Sequence, residues 1–116
     1  MYARGVPTSV LSVVSEPHRR EILDLLRDEE RSVHELVART RLSQPLVSKH
    51  LRVLREAGLV SASPRAQERV YRLEAEPLRE IDEWLAPYRD LWSHRLDRLE
   101  QHLTERRSHG RRRASR

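Results

Sequence analysis

The residues of this chain best suited to chemistry lie in the segment SQPLVSKHLRVLR, positions 43 to 55. If the segment is helical, residues three, four and seven apart share a side. Leu46, Val47, Leu51, Leu54 and Val53 then face inward, while Gln44, Pro45, Ser48, Lys49 and Arg52 share the outer side. All of the outer set except Pro45 donate hydrogen bonds. A glutamine amide can pair with adenine N6 and N7, a lysine ammonium can reach guanine O6 and N7, and a serine hydroxyl suits a base edge or a phosphate. A helix N-terminus adds a preference for phosphate. The chemistry on offer is recognition of a nucleic-acid groove, not bond breaking.

Catalytic alternatives find little support. Ser48 and His50 are two residues apart on one helix and cannot face each other. The chain has no cysteine, so disulfides and thiolate metal sites are excluded. There is no carboxylate pair, glycine-rich loop or metal-ligand cluster, and the chain does not read as an enzyme. His50 is placed beside the outer residues, where it would touch phosphate or cap the turn, with packing as the plainer alternative.

Charge must be weighed by position. The formal net charge is +5, but residues 105–116, ERRSHGRRRASR, supply all of it, and residues 1–104 sum to zero. Overall basicity therefore says nothing about the folded body. Locally, residues 43–73 set Lys49, Arg52, Arg55, Arg65, Arg69 and Arg72 against Glu56 and Glu68, a net of +4. That local excess is the meaningful one, since each neutralised phosphate adds about 0.9 to the salt slope of binding.

The elements that must position these residues follow from periodicity. Residues 1–7 read as a flexible lead-in. Val10, Leu11, Val13 and Val14 suggest a short apolar helix, and Pro17 opens a second whose stripe is Ile22, Leu23, Leu25 and Leu26. RDEERS reads as a polar connection. Val33, Leu36 and Val37 mark a two-turn helix ending near Thr40, and Ser43 caps the next one. Gly58 stops that helix, being free to take the left-handed conformation. Two short helices joined so tightly form a helix-turn-helix candidate.

Beyond Gly58 the period changes. LVSASP and RVYRL are β-prone runs around a hairpin tip, RAQE, and Arg65, Gln67 and Arg69 would meet phosphate there. A hairpin in that position is a wing. The predicted fold is mostly α with a small β-hairpin, a winged helix-turn-helix spanning residues 8–104. The last segment places apolar residues at 78, 81, 85, 88, 92, 96, 99 and 103, steps of 3, 4, 3, 4, 4, 3 and 4. A continuous helix there would be about 40 Å long, more than so small a domain needs. Its surplus apolar face predicts packing against a second copy. Pro87 predicts a kink or break, and the arginine-rich tail 105–116 reads as disordered, able to add nonspecific phosphate affinity.

EPHRREILDLL, SVHELVARTRLSQPLVSKHLRVLREAGLV and the hairpin ending VYRL together resemble the ArsR family of bacterial winged-helix repressors. The resemblance covers roughly residues 8–103. It implies base reading by Gln44, Pro45, Ser48 and Lys49; Ser43, His50, Arg52 and the wing are expected on phosphate from their chemistry. It also implies a cytoplasmic, nucleoid-associated homodimer, joined through the first and last helices and bound to a palindromic double-stranded operator. The interface would use Val10, Leu11, Val14, Leu85, Tyr88, Trp92, Leu96 and Leu99. The block WLAPYRDLW, residues 84–92, looks like a metal-independent branch of the family.

Many relatives in such a family sense metals. The positions of the family's arsenic- and cadmium-binding cysteines fall here on Ser32 and His34, which supply no thiolate. On the last helix Asp82 is followed by Trp84 instead of histidine, and His94 falls one residue short of the zinc spacing. No metal and no cofactor are therefore expected, and no membrane association. Trp84, Tyr88 and Trp92 leave a small-molecule effector open. Two other readings stay alongside: a winged-helix module that binds protein, and a metal-responsive repressor with an atypical site.

Overall fold

The computed structural model describes residues 9–114, with side chains through Arg107. The expected flexible lead-in, residues 1–7, lies outside the described residues. The chain divides into two compact units with the boundary between Ile81 and Asp82.

In the first unit each helix starts where a side chain can satisfy free backbone N–H groups. α1 spans Val10–Val14 behind Ser9, whose hydroxyl accepts from Ser12 N. α2 spans Pro17–Asp28, with Glu16 accepting from Arg19 N and Pro17 in the position where a missing N–H costs nothing. α3 spans Val33–Thr40 and is opened by a reciprocal pair, in which the Ser32 hydroxyl accepts from Glu35 N and the Glu35 carboxylate accepts from Ser32 N. That backbone hydrogen bond holds the Glu35 carboxyl below its ordinary pKa. Arg41, at φ 62°, ends α3 in the left-handed conformation. α4 spans Gln44–Glu56 behind Ser43, whose Oγ accepts from Leu46 N at 3.3 Å. Gly58, at φ 76°, turns the chain out of it.

Three strands follow the order β1-β3-β2, all antiparallel: β1 is Arg31–Ser32, β2 Val60–Arg65 and β3 Glu68–Leu73. The β2–β3 hairpin closes on Arg65 opposite Glu68, with Ala66 left-handed at the tip. β1 departs from the expectation that RDEERS is only a connection. Its backbone pairs with Val70 and Tyr71 of β3, and the Arg31 side chain is buried, Nε donating to the Leu25 carbonyl at 3.0 Å. A two-residue strand of polar composition has no period to read, so only its partner strand reveals it.

The core gathers Ile22, Leu23 and Leu26 of α2, Leu36 of α3, Val47, Leu51 and Leu54 of α4, and Leu59, Val60 and Tyr71 around the hairpin. Leu46 and Val53, expected inside, are half-buried. Val10 and Val13 of α1 join the same core. This corrects the expectation that Val10 faces a partner, because Val10 and Val13, three residues apart, share the side of α1 that packs into the core. Leu11 is exposed and Val14 half-buried. A 3-10 turn, Glu76–Leu78, leads into α5, Arg79–Ala114.

The second unit is the remainder of α5. It passes through Pro87 without a break. Proline leaves the Glu83 carbonyl without its usual donor, and Arg89 bonds both the carbonyl and the carboxylate of Asp82 in the same turn. The arginine-rich stretch read as disordered from 105 is helical as far as Ala114. Arginine is a good helix former, and an existing helix propagates far more readily than a new one nucleates.

Candidate nucleic-acid interface

α3 and α4 meet through a three-residue turn, Arg41–Ser43. Val47, Leu51 and Leu54 anchor α4 in the core with essentially no exposure. The opposite face is thereby fixed in direction. Ser43, Gln44, Pro45, Ser48, Lys49 and Arg52 are all exposed on it, and Pro45, Ser48, Lys49 and Arg52 line a shallow surface hollow. Lys49 and Arg52 make no ion pair among the described residues. Ser43 also uses its hydroxyl oxygen as the helix cap, so its first duty is to satisfy a free backbone N–H of the first turn.

His50 does not belong to this face. It is 7% exposed and points back toward α2, where its Nδ1 accepts from Arg19 Nε at 3.4 Å and its Nε2 lies 3.8 Å from a Glu16 carboxylate oxygen. Arg19 also donates to the Val13 carbonyl at 3.2 Å, so His50 locks α4 to the α1–α2 corner. The phosphate role read for His50 fails on burial: position 50 lies three residues after Val47, on the core side. Loss of solvent lowers its pKa below the ordinary histidine value; Arg19, His18 and Lys49 push the same way, and Glu16 opposes them.

The wing stands at the end of the same face. Arg65, Gln67 and Arg69 are exposed on the hairpin. Arg65 is held at 2.6 Å by Glu30, the residue just before β1. His34 of α3 lies 3.0 Å from Glu68 and fastens α3 to the hairpin. The Ser61 hydroxyl and Arg72 both bond Glu74, holding that carboxyl below its ordinary pKa. Arg69 makes no ion pair among the described residues. Sequence reasoning found the arginines but not the carboxylate that holds Arg65, because Glu30 is 35 residues away in the chain.

The metal positions considered from sequence have other duties. Ser32 is consumed in the α3 cap, and His34 is turned toward Glu68. Among the described residues no three His, Asp or Glu side chains converge as metal ligands. On α5 the Trp84 and Tyr88 rings lie 5.4 Å apart and tilted by 53°.

Two tightly joined helices, an anchored second helix with an outward polar face and a basic hairpin beside it define a winged helix-turn-helix regulator. Residues 16–62 match the family described as bacterial regulatory protein, arsR family. Over 72 residues the chain is 40% identical to the HTH-type transcriptional repressor SmtB of Mycobacterium tuberculosis, which takes in 62% of this chain and 53% of that one. It thus spans about half the length of that relative. It is 30% identical over 77 residues to the transcriptional repressor SdpR of Bacillus subtilis, covering 66% of this chain and 86% of SdpR. Among solved structures, an ArsR-like transcriptional regulator from Rhodococcus sp. RHA1 superposes with a TM-score of 0.61 at 29% identity, over 79% of this chain and 87% of that one. The chain belongs to the ArsR family, a family of DNA-binding transcriptional regulators and not of enzymes.

Proposed function

We propose that the chain is a homodimeric, sequence-specific repressor that binds a palindromic double-stranded operator through α4 and the wing. The observation carrying this reading is the outward face of α4, whose donors are exposed on a helix that three fully buried side chains hold rigid. Gln44, Pro45, Ser48 and Lys49 enter the major groove, as the second helix of a helix-turn-helix does. Ser43, Arg52, Gln67 and Arg69 take backbone phosphates, with Arg65 joining them when it leaves Glu30. Repression follows from occupying a promoter.

The second copy is argued from α5. From Ile81 its apolar residues step 4, 3, 4, then 4, 3, 4 again to Leu103, two repeats of 11 residues. An 11-residue repeat keeps one stripe in line on a nearly straight, slightly right-handed helix pair. Tyr88, Trp92, Leu96, Leu99 and Leu103 are each 42% to 61% exposed on that stripe. Leu85 is half-buried, and Leu11 of α1 is exposed. Residues 79–83 carry a net charge of −2 and residues 105–107 a net of +1, a distribution that favours an antiparallel pair. A two-fold dimer reads half-sites about one DNA turn apart. No helix among the described residues is long and apolar enough to cross a membrane, and a cytoplasmic location on the nucleoid fits the reading.

The test is selection of bound duplexes from random DNA, with the mass of the free protein measured alongside. A two-fold symmetric consensus is expected, together with a mass of twice 13.8 kDa. Lys49→Ala should weaken the selected site by about 1–3 kcal/mol and relax it at one base position. No enrichment at moderate salt would overturn the reading.

A further inference from the structure

Where α4 meets β3 the surface opens into a hollow of about 370 Å³. Its floor is apolar, made by Val33, Leu51 and Tyr71, and its rim carries Arg52, Arg55 and Arg69. Ser48, Arg52 and Arg55 reach it from α4 because they are spaced i, i+4 and i+7. Arg69 and Tyr71 reach it from β3 because alternate residues of a strand share a face.

The charge there is uncompensated. Several arginines of the first unit have partners: Arg19 and Arg20 bond α1 carbonyls or Ser15, Arg31 bonds Leu25, Arg65 pairs with Glu30 and Arg72 with Glu74; Arg39 and Arg41 of α3 make no ion pair among the described residues but do not line the hollow. Arg52, Arg55 and Arg69 form no ion pair among the described residues, and no carboxylate lines the hollow. Three guanidinium groups on one small concavity repel one another unless an anion joins them, and their planar donors suit the oxygens of phosphate.

We propose that this hollow is an oxyanion site, built for a phosphate carried on a small apolar or aromatic body. In the DNA complex it takes a backbone phosphate between the reading helix and the wing. In the free protein it takes a phosphorylated small molecule, whose aromatic body rests against Val33 and the exposed edge of Tyr71. The two occupants exclude each other, so the small molecule releases the duplex. The competition, though not the anion site itself, rests on the DNA-binding reading above.

The probes are phenyl phosphate and inorganic phosphate, titrated by calorimetry into the full chain at low salt. Phenyl phosphate should bind more tightly than inorganic phosphate. Arg55→Ala and Arg69→Ala should each weaken it at least tenfold, while Arg39→Ala, an exposed arginine of α3 away from the hollow, leaves it unchanged. Saturating phenyl phosphate should lower affinity for a selected duplex in the wild type but not in Arg55→Ala. Binding that is absent, or indifferent to Arg55 and Arg69, overturns the site even if duplexes are still selected. Arginine-dependent phosphate binding in a protein that selects no duplex would support the site and reject the DNA reading instead.

Discussion

His50 shows how one residue can be misassigned by its neighbours and what it does instead. Close to Lys49 and Arg52 in sequence, it looks like part of a phosphate-binding row, yet its ring is packed behind α4 between Arg19 and Glu16. The neutral ring suits this place, because Nδ1 must offer a lone pair to Arg19. Protonation would set two positive donors against each other in a buried position. Burial lowers the folded-state pKa, so the unfolded chain takes up the proton first as pH falls. The contribution of His50 is therefore fully present above about pH 6.5 and is lost as pH drops from there toward the lower folded value. Urea unfolding across pH 7.5 to 5.5 should show wild-type stability falling with acid and a flatter profile for His50→Gln. A variant as steep as the wild type would refute this role.

At the scale of elements, the wing is held by contacts that sequence order conceals. Glu30 and β1 sit on one side of the hairpin, and Glu68 at its turn is tied to His34 of α3. The Arg65–Glu30 contact is a solvent-exposed pair, a type that contributes only about 0–1 kcal/mol to stability, so its more important effect is on where Arg65 points. Glu30→Gln removes the carboxylate that competes with phosphate for that guanidinium. Melting temperature should barely change, while duplex affinity rises and the salt slope steepens by up to about 0.9. An unchanged slope in a fluorescence-anisotropy salt titration would mean that Arg65 never leaves the wing for the backbone.

At the scale of the whole molecule, the first unit has a closed core and α5 carries an apolar stripe that the single chain leaves half exposed. Leu96 and Leu99 are 61% and 53% exposed and follow each other at i and i+3 on that stripe. Replacing both with glutamate should leave the circular-dichroism helix signal of the first unit intact and shift the particle to monomer by sedimentation. Because a dimer gains by engaging two half-sites at once, operator affinity should fall by more than tenfold, as multivalent binding requires. A dimer that survives the double substitution would place the interface elsewhere.

Much of this architecture was legible in the order of residues. The cap at Ser43, the leucine spacing of the reading helix, the stop at Gly58 and the hairpin tip are local features, and local rules about capping, periodicity and left-handed backbone suffice to locate them. What tertiary structure alone decided are the long-range pairings. It put Arg31 and Ser32 into the sheet, turned His50 inward and Val10 into the core, gave Arg65 to Glu30 and brought Arg69 of the hairpin beside Arg52 and Arg55. Helical spacing already put His50 on the side of Val47 and Leu54, but spacing names no partner, and each of these outcomes depends on which distant residue fills the neighbouring space. The sequence by itself determined a winged helix-turn-helix with an outward polar face; packing determined which basic side chains remain available to an anion, because burial and a nearby carboxylate remove a charge from service and neither can be read from position in the chain.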